Sequence, residues 1–164
     1  MKIFGFAGWS GSGKTTLIEK LIPLFVKHGL RVSLLKHAHH TFDVDQPGKD
    51  SYRHRRAGCQ EVLISSSRRW ALLHELRGAP EPGLAELIER VSPCDLLLVE
   101  GFRRENVAKL EVYRACVGEA LLHPQDKNIV AIACDERLET GLTQFDLNDP
   151  PPIAEFILGH LALR

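Results

Sequence analysis

Near its start the chain carries Gly8-Trp9-Ser10-Gly11-Ser12-Gly13-Lys14-Thr15, a complete match to G-x-x-x-x-G-K-[ST]. Chance gives such a match in on the order of one in a few hundred chains of this length, and the flanks remove even that ambiguity. Ile3-Phe4-Gly5-Phe6-Ala7 is an apolar run of strand length, and Leu17, Ile18, Leu21, Ile22 and Phe25 recur at helical spacing just beyond it. Strand, glycine loop and helix is the setting in which this motif cradles phosphate. A turn that merely preceded a helix would need neither Lys14 nor Thr15.

Each residue of the loop meets a physical requirement. Gly8, Gly11 and Gly13 admit positive φ, which lets the backbone N–H groups of the loop, those of Trp9, Ser10 and Ser12 among them, converge on a polyphosphate. The helix N-terminus adds about half a unit of positive charge beside those oxygens. Lys14 reaches the β- and γ-phosphates as a mobile point charge, and is a catalytic candidate for that reason. Thr15 offers a hydroxyl to Mg²⁺ and Thr16 faces the α-phosphate side. The spacing implies a nucleoside triphosphate site.

Beyond the loop, elements alternate. Gly29 reads as the cap of the first helix, with Pro23 predicting a bend or early end within it. Val32-Ser33-Leu34-Leu35 is a second strand, and Asp50 or Ser51 caps a short helix running through Ala57 to Gly58. Glu61-Val62-Leu63-Ile64-Ser65 and Trp70-Ala71-Leu72-Leu73-His74, joined by a Ser/Arg turn, form an antiparallel hairpin. Leu84, Leu87, Ile88 and Val91 mark a helix face ended by Pro93. Leu96-Leu97-Leu98-Val99 is a buried parallel strand, residues 110–113 and 129–133 are two more, and Pro150, Pro151 and Pro152 open a last helix. The pattern predicts one α/β domain over residues 1–164, with a mainly parallel sheet, helices on both faces, an additional antiparallel hairpin, and the ligand at the strands' C-terminal ends.

A triphosphate site needs a carboxylate near its metal. Asp95 and Glu100 bracket the 96–99 strand, about 17 Å apart when extended. Only the exit end faces the phosphates, so Glu100 is the candidate for Mg²⁺ or its water shell, and for catalysis. Gly101 can then sense a γ-phosphate through its N–H. Asp95 reads better as a turn or cap residue.

The block Lys36-His37-Ala38-His39-His40-Thr41-Phe42-Asp43-Val44-Asp45 follows the second strand. Its histidine spacing is too tight for a standard zinc finger. Its three histidines and two aspartates, Asp43 and Asp45, could still hold a metal; contacts to Mg²⁺-bound water, phosphates or a second ligand are another reading, and a solvated loop is the third. Lys36 and Lys49 are candidates to hold an anion. Arg53, Arg55 and Arg56 do not share one helical face, whereas Arg103 and Arg104, just past Glu100-Gly101, are placed to touch a phosphate or a partner.

With 21 Lys+Arg against 21 Asp+Glu, the formal charge is zero, so no strong field draws the chain to nucleic acid or an anionic membrane. Cys59, Cys94, Cys116 and Cys134 are scattered without a C-x-x-C pair; the expectation is reduced, buried thiols in a cytoplasmic protein. No leader or membrane span is recognisable.

Together these residues resemble the molybdopterin-guanine dinucleotide biosynthesis protein B (MobB) family. The matching pieces are Ala7 to Leu17, Lys36-His37-Ala38-His39-His40, the run from Asp43 to Tyr52, Arg69-Trp70-Ala71-Leu72, Leu98-Val99-Glu100-Gly101-Phe102, and Phe145-Asp146-Leu147-Asn148-Asp149. The resemblance covers nearly the whole chain. It implies a SIMIBI-class P-loop NTPase that binds GTP with Mg²⁺, hydrolyses it weakly and works as a homodimer. Such a protein assists the MobA guanylyltransferase and other proteins of the molybdopterin pathway as GMP is attached to molybdopterin, with molybdopterin itself a possible bound substrate.

Guanine recognition does not follow from the residues, because the tetrapeptide N-K-x-D is absent. Asp135 matches an aspartate in the family's corresponding loop; a base contact and a plain turn role are both open to it. A rival reading is an ATP-dependent small-molecule kinase or phosphate-activating ligase, since Val99-Glu100-Gly101 also resembles dethiobiotin synthetase. A nickel-insertion GTPase is a third, although such proteins usually cluster Cys and His ligands.

Overall fold

The computed structural model describes residues 1–38 and 42–163. The chain forms two compact units, one of Met1–His37 with Ile88–Arg164 and one of Ala38–Leu87.

The first unit is built on β1 (Lys2–Ala7), β2 (Val32–Lys36), β5 (Leu96–Glu100), β6 (Lys109–Tyr113), β7 (Ile129–Cys134) and β8 (Thr143–Asp146). They form one sheet in the order β2-β5-β1-β6-β7-β8, with every neighbouring pair parallel. Burial on both faces explains why β5 reads as an unbroken apolar run: all five of its residues are buried.

On one face, Phe4, Phe6, Leu98, Leu110, Val112, Ala131 and Ala133 pack against two helices, α1 (Lys14–Lys27) and α4 (Pro150–His160). Leu17, Ile18, Leu21 and Phe25 come from α1, and Ile153, Ala154, Ile157 and Leu158 from α4. Each large apolar side chain so buried contributes about 1.5–3 kcal/mol. The opposite face is different around β6. There Lys109 and Glu111 are buried, and Glu111 accepts hydrogen bonds from the N–H groups of Leu122 and His123, holding a single 3₁₀ turn (His123–Gln125) against the strand. Lys109 Nζ donates to Asp126 at 2.6 Å and to the Arg103 carbonyl at 3.0 Å.

Two local expectations need correction. Pro23 does not end α1, which runs on to Lys27, because the packed face of Leu17, Ile18, Leu21 and Phe25 outweighs one missing hydrogen bond. Gly29 does close it: its N–H reaches the Val26 carbonyl and that of Leu30 reaches Phe25, the paired bonds of a Schellman cap. At α2 (Asp50–Arg56) the capping position belongs to Lys49, and Asp50 is already inside the helix.

The second unit holds α2 and the antiparallel pair β3 (Glu61–Ser65) and β4 (Trp70–His74), which are in register from Glu61 opposite His74 to Ser65 opposite Trp70. Arg55 organises this unit. Its guanidinium bonds Asp43, Asp45 and Glu75, and the Asp45 carboxylate also accepts from Ser51. The Asp45 backbone N–H and Arg55 hold the Asp43 carboxyl below its usual pKa. Between the two units in sequence, α3 (Leu84–Glu89) stops before Pro93.

The cysteines divide. Cys94 and Cys134 are buried as expected, but Cys59 and Cys116 are exposed; all four are free thiols.

Candidate nucleotide site

The loop between β1 and α1 has the shape its sequence requires. Gly8, Gly11 and Gly13 take φ of 146°, 81° and 95°. At Gly8 the requirement is also spatial: a Cβ there would lie 2.4 Å from the Val112 carbonyl oxygen and 2.8 Å from Ser12 Oγ. Ser12 is buried, and its hydroxyl has no hydrogen-bond partner.

Lys14 curls back over the loop, donating to the carbonyls of Gly8 at 2.9 Å and Trp9 at 2.8 Å. Burial pushes its pKa below the usual lysine value; Glu100 opposes that shift, while Arg103 and Lys36 add to it. Those four side chains therefore share one electrostatic neighbourhood. Thr15 Oγ1 donates to Glu100 Oε1 at 2.9 Å, so the loop threonine and the strand-end carboxylate are already joined. Glu100 is buried, and its Oε2 accepts no hydrogen bond. A hydroxyl and a buried carboxylate with a spare oxygen form a hard-oxygen pair of the kind Mg²⁺ takes. Ser10 and Thr16 are exposed on either side of Lys14.

Gly101 follows Glu100 at φ 96°. A Cβ here would meet the His37 carbonyl oxygen at 3.0 Å, so the turns leaving β2 and β5 close on each other. Next comes Arg103, whose guanidinium stacks on the Trp9 ring at 4.2 Å and donates to the Gly8 carbonyl at 3.1 Å. The Trp9 indole N–H is bound in turn to the Ala120 carbonyl. The Lys109 ammonium, through the Arg103 carbonyl, pins the segment that carries this arginine. Of the two arginines singled out, Arg103 reaches the loop and Arg104 is exposed.

Asp95 lies at the other end of β5. Its carboxylate accepts from the N–H, Nε and Nη2 of Arg31 at 2.8, 3.1 and 3.0 Å. It is a structural ion pair remote from the loop.

Asp135 follows β7. It accepts from Arg114 Nη1 and from the Ala115 N–H, each at 3.4 Å. With Gln144, Phe145 and Asp146 it lines an open cleft of about 470 Å³ where β7 and β8 end. Arg114, unnoticed in the sequence, lies over the loop, its Nε 3.2 Å from where a Gly13 Cβ would be.

The histidine–aspartate block is only partly accounted for. Asp43 and Asp45 are engaged by Arg55, and no group of three or more metal-ligating side chains exists among the described residues. The expectation for His39 and His40 falls outside the described residues.

The comparisons agree with this architecture. Residues 3–135 match the family described as Molybdopterin guanine dinucleotide synthesis protein B. The chain is 41% identical over 162 residues to the molybdopterin-guanine dinucleotide biosynthesis adapter protein of Escherichia coli strain K12, covering 95% of this chain and 91% of that one. It is also 41% identical over 160 residues to the Haemophilus influenzae adapter protein, covering 94% and 86%. A crystal structure of molybdopterin-guanine biosynthesis protein B superposes with a TM-score of 0.78 at 30% identity, over 98% of this chain and 99% of the other. Bacillus subtilis MobB gives 0.78 at 27% identity, over 98% of each. With the family signature spanning most of its length and these relatives matched nearly end to end, the chain belongs to the MobB family.

Proposed function

We propose that this protein binds GTP with Mg²⁺ and acts as an accessory protein in molybdenum cofactor biosynthesis, supporting a MobA-type guanylyltransferase as GMP is joined to molybdopterin. The observation that carries the reading is the Lys14–Thr15–Glu100 constellation at the C-terminal edge of the sheet, in a chain whose relatives are named adapter proteins of that pathway.

On this reading each residue has a task. Lys14 exchanges two loop carbonyls for phosphate oxygens, and the amides of residues 8–13 surround the β-phosphate. Thr15 and Glu100 would hold the metal, which would supply positive charge to neutralise the phosphates. Gly101 presents its N–H toward the terminal phosphate. Arg103, released from the Gly8 carbonyl, supplies a second cation there. The β7–β8 cleft lies two to three strands from the loop, about 10–14 Å at sheet spacing, a span suited to the base of the same nucleotide. Asp135 is the residue we assign to guanine.

Slow hydrolysis suits a protein whose product is a docked complex. The hairpin leaves Leu63, Trp70 and Leu72 exposed on one face, an apolar surface available for the self-association this reading includes.

Calorimetric titration with GTP and ATP, in the presence and absence of the guanylyltransferase and molybdopterin, tests the reading. Preferential GTP binding with little turnover by the protein alone is expected, and Lys14→Ala should weaken it by about 100-fold or more at unchanged Tm. Rapid phosphoryl transfer to a small acceptor would instead favour a kinase.

A further inference from the structure

β2 and β5 are in-register parallel neighbours, Leu35 opposite Val99 and Lys36 opposite Glu100. Both strands therefore end, side by side at the phosphate loop, on residues of opposite charge. Lys36 Nζ stands 3.4 Å from Glu100 Oε2 and donates to Thr15 Oγ1 at 3.3 Å. Thr15 Oγ1 is itself bonded to Glu100 Oε1. The ammonium thus rests on the same two oxygen donors that the proposed function gives to Mg²⁺.

The two partners differ in freedom. The Glu100 side chain is 7% exposed and fixed at a strand end, while that of Lys36 is 51% exposed on a flexible four-carbon stem. A buried carboxylate is costly to leave uncompensated, so some cation must stay with Glu100. A divalent ion and an ammonium repel each other strongly at one oxygen pair, so the two cannot share it. The partner free to leave is the lysine. Its tether keeps it within reach of whatever anion arrives with the metal.

We propose that Lys36 is a built-in counter-ion of the magnesium site, which neutralises Glu100 when no metal is there and transfers its charge to the terminal phosphate when the metal–nucleotide complex enters. The inference rests on the nucleotide-binding reading above and adds to it a residue that discriminates triphosphate from diphosphate.

The test is calorimetric titration of wild type, Lys36→Met and Lys36→Gln with GTP and with GDP, each in Mg²⁺ and in EDTA. Wild type should bind GTP more tightly in Mg²⁺ than in EDTA, where the lysine stays on Glu100. Both variants should lose ~10–100-fold for GTP in Mg²⁺, the worth of a charge-assisted contact to the terminal phosphate, while GDP affinity in Mg²⁺ stays within about threefold. Equal losses for GTP and GDP, or variants that match wild type throughout, would overturn the inference and leave the nucleotide site standing. Failure of wild type to bind either nucleotide would overturn the site itself.

Discussion

The two ends of β5 carry the same kind of group and put it to different uses. At the start, Asp95 meets Arg31 in a bidentate pair open to solvent, with both carboxylate oxygens engaged. At the exit, Glu100 is buried and keeps one oxygen without a hydrogen bond, and its nearest cation is a tethered lysine. A saturated, exposed ion pair locks a strand in place. A buried, incompletely satisfied carboxylate beside the Gly8–Thr15 loop is the kind of group that, on the proposed function, takes a ligand. What separates structure from function on this strand is position relative to the sheet's C-terminal edge.

The sharpest way to break that contrast is Glu100→Gln. The amide preserves shape but removes the charge that a metal and Lys36 both answer to. Mg²⁺-dependent GTP hydrolysis should fall by roughly 10–100-fold, with nucleotide affinity changed by less than about threefold. Parallel measurement of turnover and binding checks this, and an unchanged rate removes Glu100 from the site.

A smaller effect is expected three strands away. Asp135 is only weakly held, at 3.4 Å from each of its donors, so its carboxylate is free to turn toward a base in the β7–β8 cleft. Asp135→Asn should shift preference from GTP toward xanthosine triphosphate by roughly three- to tenfold, since the amide donates where the carboxylate accepts. Competition between the two nucleotides reads this out. An unaltered ratio returns Asp135 to its role beside Arg114.

Much of this was legible in the chain itself. The loop from Gly8 to Thr15, the alternation of strands with helices and the buried run ending at Glu100 are local patterns, and each appears where the sequence put it. Asp95 lies at the entry of that strand, where direction along a parallel strand puts it, although its pairing with Arg31 was not legible. The misses share a cause: they depend on which strand ends lie side by side. Lys36 opposite Glu100 follows from the β2–β5 register, and matching the last residues of two apolar runs, Leu35-Lys36 and Val99-Glu100, would have exposed it. Arg103 over Trp9 and Arg114 over Gly13 arise from loops, which carry no period to read. Pro23 misled because a local rule was weighed without the packing of α1. The Asp43/Asp45 pair looked like a ligand set because nothing near it in sequence reveals Arg55.

Substitution at the far end of β5 completes the comparison. Arg31 holds the Asp95 carboxyl at a pKa of about 2, through side-chain and backbone hydrogen bonds and through its charge. The folded value lies below the unfolded one near 3.9, so the stabilisation is present above about pH 4 and is lost as pH falls through 2. Because the pair is exposed, solvent screens it and its worth is small. Asp95→Asn should lower Tm by about 1–3 °C at neutral pH, and nucleotide affinity should not change. Melting curves of both proteins from pH 7 to pH 2 should converge on acidification, as wild type protonates the group the variant never had. A gap that persisted at pH 2 would mean that Asp95 acts through packing rather than charge. A gap in nucleotide affinity would mean that the two ends of the strand are coupled after all.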